Sequence, residues 1–215
     1  MRPWVRTAPD DGVAVGSRRA FLKALGLGTL TALLTRFGLV QAAPGESALV
    51  IYYSRTGNTA AMAAEIADRL GAATVAIRAP AYGDDFLGWT RAGYDAWNKL
   101  PTEIEVPEFD LAPHDWIFLG SPIWWYRPSP PLWMFVDGSD LTGKQVVLFN
   151  TFNSRFKDAE IAEFRQLVES KGGRLVDHVY VRRGRIYDQL SRREMLAEIR
   201  ARLAERLPAW AIGKE

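Results

Sequence analysis

The run Ala48-Leu49-Val50-Ile51-Tyr52-Tyr53-Ser54-Arg55-Thr56-Gly57-Asn58-Thr59 decides how this chain reads. Its first six residues are short, continuous and apolar, the composition of a strand buried on both faces. The polar half sets hydroxyls at 54, 56 and 59 around Gly57. Beyond it, Ala60, Ala63, Ala64, Ala67 and Leu70 recur near helical spacing, and Gly71 stops the pattern. A strand, a polar turn and a helix therefore follow one another. Such a turn offers hydroxyls and unpaired backbone N–H groups at the positive end of a helix, which suits a phosphate. No Gly-Lys-Ser/Thr follows, so it is not a Walker loop, and Gly-x-Gly-x-x-Gly is absent. The alternative is a plain polar turn with Asn58 or Thr59 as N-cap.

The alternation repeats outward from this unit. Residues 73–77, 116–119, 145–149 and 175–181 read as further strands, with Gly120 ending the third in the chain. Residues 84–100, 130–136, 158–170 and 191–207 read as helices. In 84–100, Phe86, Thr90, Gly93, Tyr94, Trp97 and Leu100 fall on one side. Ser191 with Glu194 forms a capping box before the stripe Met195, Ile199, Leu203 and Leu207. Strands alternating with helices predict a parallel sheet covered on both faces, with ligands at the carboxyl ends of the strands.

Composition narrows the function. Of 215 residues, 48% are hydrophobic and 24% charged, which is ordinary for a globular chain. The absence of cysteine excludes disulfides, thiolate metal sites and a thiol nucleophile. Two histidines, His114 and His178, argue against a histidine-rich metal site or a histidine-based triad. With 27 basic against 25 acidic residues, no nucleic-acid partner is expected. The basic excess sits in residues 1–42, leaving 21 basic and 23 acidic residues in 43–215. That leader carries Arg18-Arg19-Ala20-Phe21-Leu22-Lys23, a moderately apolar run over 24–34 and small or apolar residues before a cut after Ala42. It resembles a twin-arginine signal, which implies export, to the periplasm or an equivalent compartment, of an already folded domain spanning 43–215. The run is too short to span a bilayer, so no stable membrane anchor is expected after cleavage.

Two more loops follow strand ends. Gly120-Ser121-Pro122-Ile123-Trp124-Trp125-Tyr126-Arg127-Pro128 contains three consecutive aromatics, able to wall a flat ring or to form a structural cluster. Thr151-Phe152-Asn153-Ser154-Arg155-Phe156-Lys157 offers backbone groups and Asn153 to the edge of a heterocycle, and reads equally as a plain surface loop. Arg182-Arg183-Gly184-Arg185 is a basic cluster near the last strand, either solvated or a dock for an anionic partner.

Residues 54–59 resemble the phosphate loop of flavodoxins, and Gly120 to Trp125 resemble the second flavin loop of flavodoxin-like proteins. The resemblance covers about 48–207. It implies an α/β flavodoxin-like three-layer sandwich with a five-stranded parallel sheet of order 2-1-3-4-5, binding FMN non-covalently. Ser54, Arg55, Thr56, Gly57, Asn58 and Thr59 would hold the phosphate. Pro122, Ile123, Trp124, Trp125 and Tyr126 would border the isoalloxazine, and Thr151, Phe152 and Asn153 would meet its other side. The third loop lacks the glycine-rich, acidic character common in flavodoxins. The function implied is electron transfer with a redox partner protein or a small electron acceptor. The alternatives are an FMN-dependent NAD(P)H:quinone-type oxidoreductase and a flavin-free binding module on the same fold.

Overall fold

The structure is a computed structural model that describes residues 5–6, 48–210 and 212. The twin-arginine pair, the apolar run and the cleavage site lie outside the described residues. Ten elements alternate along the folded region. They are β1 (Ala48–Tyr53), α1 (Asn58–Leu70), β2 (Ala73–Ile77), α2 (Phe86–Asn98), β3 (Trp116–Trp124), α3 (Pro130–Asp137), β4 (Gln145–Phe152), α4 (Asp158–Ser170), β5 (Arg174–Arg182) and α5 (Arg192–Trp210). The five strands pair in parallel in the order β2-β1-β3-β4-β5. A two-residue strand, Arg127–Pro128, adds an antiparallel hairpin to the end of β3. Val5–Arg6 pair in parallel with Ile104–Glu105.

The inner strands β1, β3 and β4 are mostly apolar because both their faces are covered, whereas the edge strand β5 carries Arg174, Asp177, His178 and Arg182. Leu49, Ile51, Ile117, Leu119, Val146 and Leu148 point to one side, where α3 and α4 bury Leu132, Phe135, Ile161 and Phe164. Val50, Phe118, Val147 and Phe149 point to the other, under Met62 and Ile66 of α1 and Met195, Ile199 and Leu203 of α5. The Ser191–Glu194 capping box closes in both directions: Ser191 N donates to Glu194 Oε2 (2.8 Å) and Glu194 N to Ser191 Oγ (3.2 Å).

Three boundaries differ from the sequence reading. Gly120 does not end β3; the strand runs on to Trp124 because Gly120, Ser121 and Pro122 pair with Phe149, Asn150 and Thr151. The glycine is there for space, since a Cβ at 120 would run into the Phe149 ring. β4 likewise continues to Phe152, so Thr151 and Phe152 end a strand rather than open a loop. α5 passes through Pro208 to Trp210, whose indole N–H donates to Asp177 Oδ2 (2.9 Å).

α2 holds a further difference. It buries Gly88, Ala92, Asp95 and Ala96. The apolar side legible in the sequence faces solvent instead, with Phe86 76% and Tyr94 and Trp97 each 62% exposed.

Candidate functional site

The turn after β1 is shaped by Gly57, whose φ of +79° is left-handed. Gly57 occupies the N-cap of α1 and makes no side-chain cap, and the first turn holds no acidic residue. The helix therefore starts with open N–H groups and an unneutralised positive end. Neither Asn58 nor Thr59 caps it: Asn58 Nδ2 donates to Thr56 Oγ1 (3.3 Å), and buried Thr59 shares a hydrogen bond with Thr151 Oγ1 (2.9 Å). That bond ties the first loop to the end of β4. Arg55 reaches sideways to donate to Gly83 O (2.9 Å), and Arg192 of α5 donates to Gly57 O (3.3 Å). Among the described residues, Ser54 Oγ and Arg55 Nε are buried with no hydrogen-bond partner.

A cleft of about 300 Å³ opens beside this turn. Ser54, Arg55, Thr56, Asn58 and Thr59 line it together with Pro122, Ile123, Trp124, Thr151, Phe152 and Asn153. Three strand ends thus converge on one space, at the carboxyl edge where an open parallel sheet receives ligands. Trp89 and Ser154 line it too, and the sequence reading missed both. Trp89 stands just off the stripe read on α2; its only signal is a tryptophan in the first turn of a helix that follows a strand end. Ser154 is simply the next residue of the third loop.

The three aromatics divide their roles. Trp124 is fixed edge-on against Tyr53 (5.6 Å between centroids) and Tyr82 (5.7 Å), so its ring forms a set wall of the cleft. Burial pushes the Tyr53 hydroxyl up to about 12, which keeps it a neutral phenol. Trp125 leaves the cleft for an adjoining apolar recess of about 270 Å³, shared with Arg55, Trp89, Gly93 and Trp124. Tyr126 turns the other way, into a depression of about 430 Å³ with Ser154, Arg155, Arg182 and Arg185. Trp125 and Tyr126 are the two turn residues of a hairpin and have φ of +47° and +73°. Such turns normally take Asn or Gly. Here contacts hold the strained pair: Trp97 lies 4.6 Å from Trp125, and the Arg155 and Lys157 cations lie 5.4 and 4.8 Å from the Tyr126 ring.

Behind the cleft runs a polar chain across three strands. Asn150 Nδ2 donates to Ser121 O (2.7 Å), and His178 Nε2 donates to Asn150 Oδ1 (2.8 Å). Burial lowers the His178 pKa to about 4, so the ring is neutral and serves the scaffold. Arg127, expected in a loop, is buried against the Trp133 ring (4.1 Å) and pairs with Glu160 at 3.4 Å. No cluster of metal-ligating side chains occurs among the described residues.

These features define a doubly wound α/β protein with a polar and aromatic cleft at its sheet edge. The sequence model of the family described as Flavodoxin matches residues 47–183, and the chain belongs to that family. Among solved structures it resembles a flavoprotein of Lactobacillus acidophilus NCFM determined in complex with FMN, at 21% identity and a TM-score of 0.55, over 63% of this chain and 93% of that one. The apo form of the Lactobacillus acidophilus flavoprotein, determined by NMR, gives 22% identity and a TM-score of 0.52, over 62% and 92%. A protein designated a flavoprotein from Bacteroides uniformis ATCC 8492 gives 23% and 0.58, over 73% and 99%. At these identities the likeness establishes the fold. No curated protein matches the chain.

Proposed function

We propose that the chain binds FMN non-covalently in this cleft and acts as an electron-transfer flavoprotein. The observation that carries the reading is Ser54 Oγ, a buried hydroxyl with no partner among the described residues, set beside the uncapped N-terminus of α1. A buried polar atom left unpaired is costly, and a phosphate oxygen at this spot would satisfy it. The residues fit the group. Ser54, Thr56, Asn58 and Thr59, with the backbone around Gly57, would hold the phosphate. Trp124 and Trp89 would flank the ring, and Thr151 to Asn153 would meet its polar edge. Family membership and the FMN complex of the Lactobacillus acidophilus relative support the same cofactor.

Bound FMN supplies one- and two-electron chemistry. The chain's own contribution is binding, orientation and exclusion of water, with no side chain needed as nucleophile. Trp124 is immobilised by Tyr53 and Tyr82, and Thr59 locks the first loop onto β4, so the cleft is preorganised. The test is a fluorescence titration of FMN with the purified chain. Quenching that saturates at one FMN per chain, and that weakens tenfold or more in Ser54→Ala and Thr56→Ala, supports the reading. FMN that stays fluorescent at micromolar protein rejects it in favour of a flavin-free binding module.

The arginine-lined depression around Tyr126 favours a second redox reading, in which a phosphate-bearing nicotinamide supplies hydride. Steady-state oxidation of NADPH separates the two: an oxidoreductase turns over, with KM raised in Arg155→Ser and Arg185→Ser, and a carrier does not. Export by the twin-arginine route belongs to the same proposal, and replacing both Arg18 and Arg19 by Lys should retain the protein in the cytoplasm.

A further inference from the structure

We infer that the outward face of α2 is a self-association surface, closed by a second copy of this chain around a twofold axis near Gly93. A helix on a folded domain ordinarily turns its apolar stripe inward. α2 buries small residues and exposes Phe86, Leu87, Trp89, Tyr94 and Trp97, and Trp125 extends the patch from the neighbouring hairpin. Aromatic side chains carry about 150–250 Å² each, so this surface amounts to something on the order of 800 Å². That is the area each partner contributes to a specific interface of standard size, about 800 Å².

Two polar side chains on this face already donate within their own helix. Thr90 Oγ1 donates to Phe86 O (2.8 Å) and Asn98 Nδ2 to Tyr94 O (2.9 Å), so covering the helix strands neither side chain. The surrounding charge argues against a lipid occupant. Asp84 and Asp85 stand at the start of the helix, and Lys99 at its end is held by Glu163 at 2.5 Å. An anionic bilayer would need a basic surround instead.

The order of residues is self-complementary. Laying α2 antiparallel on its copy about Gly93 sets Trp89 against the second copy's Trp97, four residues to either side of the axis. A twofold interface requires this reciprocity. Gly93, half-buried on the exposed side, leaves room for the helices to approach at their crossing. Trp89 and Trp125 also line the recess adjoining the candidate cofactor cleft, so the second copy would wall its open side. The association itself holds whatever the cleft binds.

Sedimentation equilibrium of the full chain at tens of micromolar tests this. The expected mass is twice the 24.1 kDa of one chain. A Cβ at 93 would meet only Trp125 Nε1, at an ordinary 3.7 Å, so the fold tolerates substitution there. Gly93→Glu and Gly93→Lys should each fall to the single mass, since each meets its own charge across the axis. Their equimolar mixture should regain the double mass. Trp97→Ser, on the solvent side of the helix, should also give the single mass with an unchanged circular dichroism spectrum. A native chain at the single mass, with or without flotation on phosphatidylglycerol vesicles, overturns the inference. So does a double mass that survives these substitutions, and a mixture that stays single overturns the axis at Gly93.

Discussion

Gly57 and His178 show how single residues set the site and its tolerance of acid. Gly57 sits at φ +79° with nothing nearer to a prospective Cβ than Arg192 Nη1 at 3.9 Å. Its replacement by Ala meets conformational strain without a clash, and the left-handed backbone costs an L-residue about 1–2 kcal/mol. Gly57→Ala should lower the unfolding free energy by about that amount in a urea titration and should weaken FMN binding. For His178 the folded pKa is about 4 against an ordinary 6.5, so between these values the unfolded chain takes up a proton that the fold excludes. Stability then rises with pH across the window, and it falls as pH drops from 6.5 toward 4. The difference corresponds to roughly 3 kcal/mol lost by pH 4. Unfolding measured at pH 7 and pH 4 should show that loss, and His178→Gln should remove most of the pH-dependent part.

At the scale of elements, the site depends on β3 and β4 running past their expected ends. Each strand carries its last residues into the cleft: Ile123 and Trp124 from β3, Thr151 and Phe152 from β4. The pairing that extends them needs Gly120 opposite Phe149. Gly120→Ala drives a methyl into a ring that is fully buried, and overpacking of this kind costs about 1–3 kcal/mol. The variant should show a lower denaturant midpoint, and a weaker cleft because Ser121 and Asn150 shift with the strand. α2 shows the limit of periodicity at this scale. Spacing located the stripe Phe86, Thr90, Gly93, Tyr94 and Trp97. Which side turns inward follows from contacts with the segment just before the helix: Asp95 accepts from the Tyr82 hydroxyl (3.0 Å), and Gly88 packs where a Cβ would strike Gly83.

For the whole molecule, the cleft joins loops from β1, β3 and β4 to α2. A ligand that binds only the folded chain stabilises it by about 2.7 kcal/mol at a hundredfold excess over Kd. FMN should therefore raise the thermal midpoint of the native chain by several degrees. Ser54→Ala should lose about half of that rise or more while leaving the flavin-free midpoint nearly unchanged.

The order of elements and the parallel sheet were legible in the residues, whereas the 2-1-3-4-5 order came from the resemblance to flavodoxin-like proteins, and the structure adds to it a short antiparallel strand on β3. Buried parallel strands must be continuously apolar, and the loop residues carry local signals in glycines and hydroxyls. For the same reason eleven of the fourteen expected site residues line one cleft. Local pattern cannot report what a residue meets across the fold. Gly120 looks like a stop until Phe149 is seen opposite it. Trp125 and Tyr126 look like a wall until left-handed backbone turns them into separate recesses. Trp89 joins the cleft only because α2 packs beside the end of β3. Those outcomes belong to the tertiary structure, since they depend on distances between residues that the chain order holds far apart.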